Sequence, residues 1–137
     1  MTDSGVKAIR EFKAMEKLDL GGTRVTNAGL AELGLQALTE IDLAGAKMTG
    51  AGLAGLVGLQ VVHHSDTSAT DEGMKGLKGL KGLRELWLTR TKVTDAGLQE
   101  LMGLKELSEL DLDHTPVSGA GLGASPGCDP CGWGTRR

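Results

Sequence analysis

Cys128-Asp129-Pro130-Cys131 sets two thiols two residues apart, the spacing of half a zinc site and also of thiol redox centres. A structural zinc needs four ligands, and the chain has no second cysteine pair; the nearest histidine, His114, belongs to a strand end. Redox pairs of this spacing sit where a strand enters a helix, whereas Gly127, Pro130 and Gly132 oppose a helix here. The default expectation is a tail with two reactive thiols, and a metal or redox role for Cys128 and Cys131 is the distant alternative. Two cysteines in a chain read as intracellular do not suggest a structural disulfide.

Asp42 and His63 fall on neighbouring strands in the register derived below, so an acid–base pair is conceivable. A shallow open sheet would not exclude water from it. The chain also lacks a serine nucleophile elbow, a helical His-x-x-x-His pair and a phosphate-binding glycine loop. Catalysis therefore finds no support, and no cofactor is expected. Lys75, Lys78, Lys81 and Arg84 recur every third residue beside Leu77, Leu80 and Leu83, along one convex edge. No aromatic residues interleave with them for base stacking, which favours a solvated outer face over a phosphate or nucleic-acid role.

The elements that would position such groups follow from a periodicity. Thr94-Asp95-Ala96-Gly97-Leu98 has close copies at Thr2–Val6, Thr26–Leu30, Thr49–Leu53, Thr70–Met74 and Ser118–Leu122. Their glycines stand at 5, 29, 52, 73, 97 and 121, at intervals of 24, 23, 21, 24 and 24 residues. A period in that range means a solenoid, in which each unit buries its apolar face only by stacking on its neighbours. Between the pentapeptides runs Leu-x-x-Leu-x-Leu, as at Leu83, Leu86 and Leu88 or Leu107, Leu110 and Leu112, with Met15, Leu18 and Leu20 or Leu38, Ile41 and Leu43 earlier. Alternating Leu-x-Leu is a short strand with one buried face. Thr then serves as N-cap, Asp suits the positive end of the helix dipole, and the following Gly is expected to let the turn pack closely on the next coil.

This combination resembles the leucine-rich-repeat superfamily over about residues 1–122, and is most similar to the cysteine-containing subclass and bacterial repeats of the form Thr-x-Val-Thr-Asp-Ala-Gly-Leu. The resemblance implies an α/β solenoid of about five right-handed coils, with a short parallel sheet on the concave face and helical turns or loops on the convex face. It also implies a ladder position after each strand, held here by Thr23, Ala46, Thr67, Thr91 and Thr115; the threonine hydroxyls are expected to bond the adjacent coil, which Ala46 cannot do. Fold and function separate at this point, because the superfamily binds unrelated partners on one scaffold.

Bulk properties bound the rest. The chain has 137 residues, a formal charge of −3, one Phe, no Tyr and two Trp, so its core is built from many similar aliphatic layers. A mild negative charge argues against a nucleic-acid partner, and no apolar run is long enough to span a membrane. The N-terminal stretch lacks the basic start and apolar run of a secretory signal, which gives a cytoplasmic expectation.

Several irregularities stand out. The coil entered at Thr49 is the 21-residue one, and its strand ends Val62-His63-His64 where the others end in Leu, so His64 takes a core position. The bland expectation is a neutral imidazole bonded to backbone; the sharper one is a pH-sensitive weak point. Thr2–Val6 matches the middle of a repeat, and Ile9, Phe12 and Met15 take the positions of Leu101, Leu104 and Leu107. Residues 123–137 are Gly/Pro-rich, without periodicity, and read as a disordered tail in which Trp133 could fold over the last layer. The expectation is a fragment of a longer repeat protein, or else a short solenoid whose open ends self-associate.

In such solenoids the residues flanking the buried strand leucines face the concave side. The central column is Asp19, Asp42, His63, Trp87 and Asp111; Lys17, Glu40, Val61, Glu85 and Glu109 precede it, and Gly21, Ala44, Ser65, Thr89 and Asp113 follow. The candidate binding surface is Trp87, His63, Glu85, Val61, Asp42, Glu109, Asp111 and Asp113, with an exposed Trp as hot spot. Its acidic flanks suit a basic peptide or a basic protein patch. The expected function is non-catalytic protein or peptide binding. The alternative is a structural fragment without a ligand of its own, and for the sheet face itself a solvated surface with an incidental Trp.

Overall fold

The computed structural model describes residues 1–118 and the strand at 134–136. Coil follows coil in one repeating order. Helix α1 (Asp3–Ile9) leads to strand β1 (Lys17–Asp19), and α2 (Asn27–Ala31) leads to β2 (Glu40–Asp42). A 3-10 turn at Ala51–Leu53 takes the place of the helix before β3 (Val61–His63), and another at Lys75–Leu77 continues the coil after the helix at Asp71–Met74. Then come α3 (Asp71–Met74), β4 (Glu85–Trp87), α4 (Asp95–Glu100), β5 (Glu109–Asp111) and β6 (Gly134–Arg136). The strands form one parallel sheet in the order β1-β2-β3-β4-β5-β6. This is the α/β solenoid expected from the period.

Strand β6 pairs with β5, Glu109 opposite Gly134 and Asp111 opposite Arg136, in a stretch to which the sequence reading gives no element. Residues 119–133, including Cys128, Cys131 and Trp133, lie outside the described residues.

The core is the stack of inward strand and turn positions. Leu20, Leu43, Leu88 and Leu112 form one buried column, and Ile41, Val62, Leu86 and Leu110 form another. Leu98, Leu101, Leu104 and Leu107 return every third residue to close the α4 coil. Phe12 departs from the expected pattern. It holds the register of Leu104 yet is 62% exposed, in the first described coil. Ile9, Met15 and Leu18 are only partly buried in the same layer.

The pentapeptide's physical role differs in two respects from expectation. First, its glycine packs on the preceding coil: a Cβ on Gly73 would lie 1.7 Å from the Thr49 carbonyl oxygen, and one on Gly52 would lie 2.5 Å from that of Asn27. Second, its Asp or Asn does more than suit a dipole, because it bonds the next repeat. Asp3 Oδ1 and Oδ2 accept the amide (2.8 Å) and hydroxyl (2.7 Å) of Thr26. Asp71 does the same for Thr94 at 2.7 and 2.6 Å, and Asp95 for the amide (3.1 Å) and hydroxyl of Ser118. Asn27 holds Thr49 through Nδ2 donating to Oγ1 (2.9 Å) and Oδ1 accepting the Thr49 amide (3.3 Å). The amide of Thr26, followed by its hydroxyl, holds the Asp3 carboxyl below the usual carboxylate range. The threonines also cap their own helices, Thr26 accepting from the Gly29 amide and Thr70 from that of Gly73.

The hydroxyl ladder is likewise local. Thr23, Thr67, Thr91 and Thr115 donate to the carbonyl oxygen three residues back, at Leu20, His64, Leu88 and Leu112, with distances of 2.6–2.8 Å. They tie each strand end to its own turn, whereas the sequence predicts a bond to the adjacent coil.

Candidate functional site

Three-residue strands in register build the concave face. Lys17, Glu40, Val61, Glu85 and Glu109 stand opposite one another, and so do Asp19, Asp42, His63, Trp87 and Asp111. The sheet brings Trp87, His63, Glu85, Val61, Asp42, Glu109 and Asp111 into two adjoining columns, with Asp113 at the strand exit. Their side chains share a face because alternate strand residues point to the same side, the intervening Leu and Ile being buried.

At the centre, the His63 and Trp87 rings stack with centroids 5.7 Å apart and planes inclined by 22°. That separation is within the range of favourable offset stacking. Trp87 is half-buried rather than fully exposed, because the neighbouring imidazole covers part of it.

The aspartates of the central column have a structural task. Oδ1 of Asp19 accepts the Gly21 amide (2.8 Å), that of Asp42 the Ala44 amide (2.8 Å), and that of Asp111 the Asp113 amide (2.9 Å). Each is a side-chain-closed turn that fixes the chain as it leaves the strand. Asp111 is 8% exposed, whereas Asp19, with the same bond, is exposed. The sequence signal for this bond is the Asp-x-small or Asp-x-Asp spacing at 19/21, 42/44 and 111/113, which the reading of Asp42 and Asp111 as surface charges does not use. The two coils without an aspartate at this position are those that carry the stacked rings.

Charge on the face is uneven. Lys17 Nζ lies 2.7 Å from Glu40 Oε2. The hydrogen bond and charge of this partner raise the Lys17 pKa, and the hydrogen bond from Lys17 lowers that of Glu40. A depression of about 300 Å³ lined by Lys17, Leu18, Asp19, Glu40 and Asp42 opens at this end. Glu85 and Glu109 stand side by side in the same column, beside Trp87.

The other candidates sit elsewhere. Asp42 is opposite His63, but its carboxylate is engaged by the Ala44 amide. Lys75, Lys78, Lys81 and Arg84 are exposed; Lys75 pairs with Glu72 (2.7 Å) and Lys78 with Glu100 (3.8 Å). Among the described residues no group of three or more His, Cys, Asp and Glu side chains could hold a metal ion, and no helix is long and apolar enough to cross a membrane.

No protein-family model matches this chain, and no curated protein does. Solved structures do. An internalin C2 from Listeria monocytogenes aligns over 82% of this chain and 48% of its own length, with 28% identity and a TM-score of 0.68. Another internalin from the same organism covers 80% of this chain and 32% of its own, at 19% identity and a TM-score of 0.69. A plant peptide hormone receptor in complex with RGF2 covers 74% and 19%, at 18% identity and a TM-score of 0.51. The chain thus spans about half or less of the length of each. With its repeated strand–turn coils, its buried leucine columns and these neighbours, this chain is a leucine-rich-repeat solenoid.

Proposed function

We propose that this solenoid is a non-catalytic protein- or peptide-binding module that takes a basic segment on its concave face. Trp87 and His63 form the anchor, Val61 extends its apolar side, and Glu85 and Glu109 with Asp42, Asp111 and Asp113 supply the acidic surround. The observation that carries this reading is the stacked ring pair, placed in the two coils that forgo the aspartate turn bond. A half-buried indole held flat by a neighbour offers rigid contact area at low entropic cost. It also offers a face for a cationic side chain, attracted by the ring and by the adjacent carboxylates. The plant receptor of the same fold, in complex with RGF2, supports a peptide as partner class.

The test is a peptide array of Lys- and Arg-rich, neutral and acidic sequences, probed with the wild-type chain and with Trp87→Ala. Basic peptides should be retained by the wild type, weakened by salt, and lost by the variant. Equal capture of acidic sequences, or capture that survives Trp87→Ala, would contradict the reading.

Phe12 and Met1, 62% and 55% exposed, favour a second mode of contact, self-association through the first layer of the stack. Light-scattering mass across a tenfold concentration range tests it. A rising mass that Phe12→Ser abolishes supports this mode, and a constant monomer mass removes it.

A further inference from the structure

His64 is fully buried in a column otherwise occupied by Leu20, Leu43, Leu88 and Leu112. The sequence predicts an imidazole bonded to backbone; instead its Nδ1 meets a side-chain hydroxyl. Nδ1 lies 2.5 Å from Thr67 Oγ1, and the Thr67 hydroxyl also lies 2.8 Å from the His64 carbonyl oxygen. Thr23, Thr91 and Thr115 all give their proton to the equivalent carbonyl. The same arrangement at Thr67 puts the imidazole proton on Nδ1 and leaves Nε2 as a bare acceptor. Nε2 is buried and has no hydrogen-bond partner among the described residues.

Nε2 lies beneath Gly50, where an added Cβ would come within 3.3 Å of it and 3.1 Å of the Gly73 carbonyl oxygen. Gly50 has φ of +102°, a conformation that suits glycine. It occupies the position at which Asp3, Asn27, Asp71 and Asp95 reach across to the next coil. At Gly50 there is no side chain to hold Thr70. The orphaned nitrogen, the missing tie, the 3-10 turn and the shortest interval of the repeat coincide at one junction.

We infer that the junction between the coils entered at Thr49 and Thr70 is an acid-sensitive seam, which opens when His64 takes a second proton at Nε2. The added N–H would point at glycine backbone with no acceptor placed for it, and the charge would sit among leucines. Among the described residues no carboxylate is placed against the ring. The 3-10 turn Ala51–Leu53 carries none, Asp71 on α3 holds Thr94, and Glu72 pairs with Lys75. Asp66 in the following turn pairs with Arg90 at the surface (3.3 Å), and Glu40, Asp42, His63 and Glu85 of β2, β3 and β4 lie on the opposite face of the sheet. Burial lowers the His64 pKa from 6.5 to about 4, against a small opposing effect of its own backbone.

The direction follows from proton counting. The unfolded histidine titrates near its ordinary value, so between pH 6.5 and about 4 the unfolded chain holds more protons than the folded one. Stability contributed by the neutral imidazole is complete above that window and lost as pH falls through it. The unfolded-to-folded ratio should rise on the order of a hundredfold from this group alone.

The test is urea unfolding of the wild type and of His64→Leu from pH 7.5 to 4.5, with hydrogen exchange of the wild type over the same range, corrected for intrinsic rates. The wild type should lose stability below pH 6.5 more steeply than His64→Leu. The amides of Leu53, Leu56 and Leu59 should lose protection before those of Leu98, Leu101 and Leu104. Parallel pH dependence of the two chains, or simultaneous loss of protection in both coils, would overturn the inference. The exchange order in the wild type decides the place of opening even if His64→Leu fails to fold.

Discussion

Asp71 grips Thr94 of the next repeat with both carboxylate oxygens, accepting its hydroxyl at 2.6 Å and its amide at 2.7 Å, and Oδ1 also takes the Gly97 amide at 3.1 Å. One side chain of one coil therefore caps the helix of the following coil. In a solenoid every unit touches only its neighbours, so such ties set how strongly adjacent coils couple.

Asp71→Ala should lower stability by about 2–3 kcal/mol, the scale for removing a charged acceptor from partly buried donors. Asp71→Asn should lose less than half of that, because Asn27 already performs the same task for Thr49 with an amide. Chemical denaturation of the two variants checks the ranking.

Gly73→Ala should cost more than about 3 kcal/mol, since the new methyl would meet the Thr49 carbonyl oxygen at 1.7 Å and only backbone movement could relieve it. Gly79→Ala is the matched control. Nothing lies within 4 Å of its Cβ position, and the substitution should be neutral or stabilise by up to about 1 kcal/mol. Equal effects at the two positions would show that the coils are not in backbone contact at Gly73.

Thr67→Val removes the acceptor of the His64 Nδ1 proton as well as the hydroxyl bond to the His64 carbonyl. It should cost about 2 kcal/mol, against about 1 kcal/mol for Thr91→Val, which loses only the bond to Leu88. Combined with His64→Leu the Thr67→Val penalty should fall toward the Thr91→Val level, still including the lost bond from the Ala69 amide (3.2 Å), a coupling readable by a double-mutant cycle.

Much of the scaffold was legible because its signals are local. Glycine spacing gave the coil count, and Leu86-x-Leu88 with its equivalents gave the strands, their register and hence the columns on the concave face. What the sequence hid depends on distances between coils. The direction in which Gly73 packs, and the reach of Asp71 to Thr94, need the separation of neighbouring coils, which no spacing within one coil encodes. The Phe12 position was legible as a register, but its exposure depends on what lies outside the first layer. The turn bonds from Ala44 and Asp113 to Oδ1 of Asp42 and Asp111 were legible only as an Asp-x-x spacing, because the same residues also read as charges on the concave face. The stacking of His63 on Trp87 was implied by the register but not stated by it, since ring orientation follows from packing.

The most direct test of the central claim is binding of an immobilised Lys/Arg-rich peptide pool to wild type and Trp87→Ala, with urea unfolding run on both. The ring-anchored concave face predicts at least a tenfold loss of affinity, about 1.4 kcal/mol, with an unfolding free energy changed by less than about 1 kcal/mol. Undiminished binding by a folded Trp87→Ala chain would place recognition elsewhere and contradict the account.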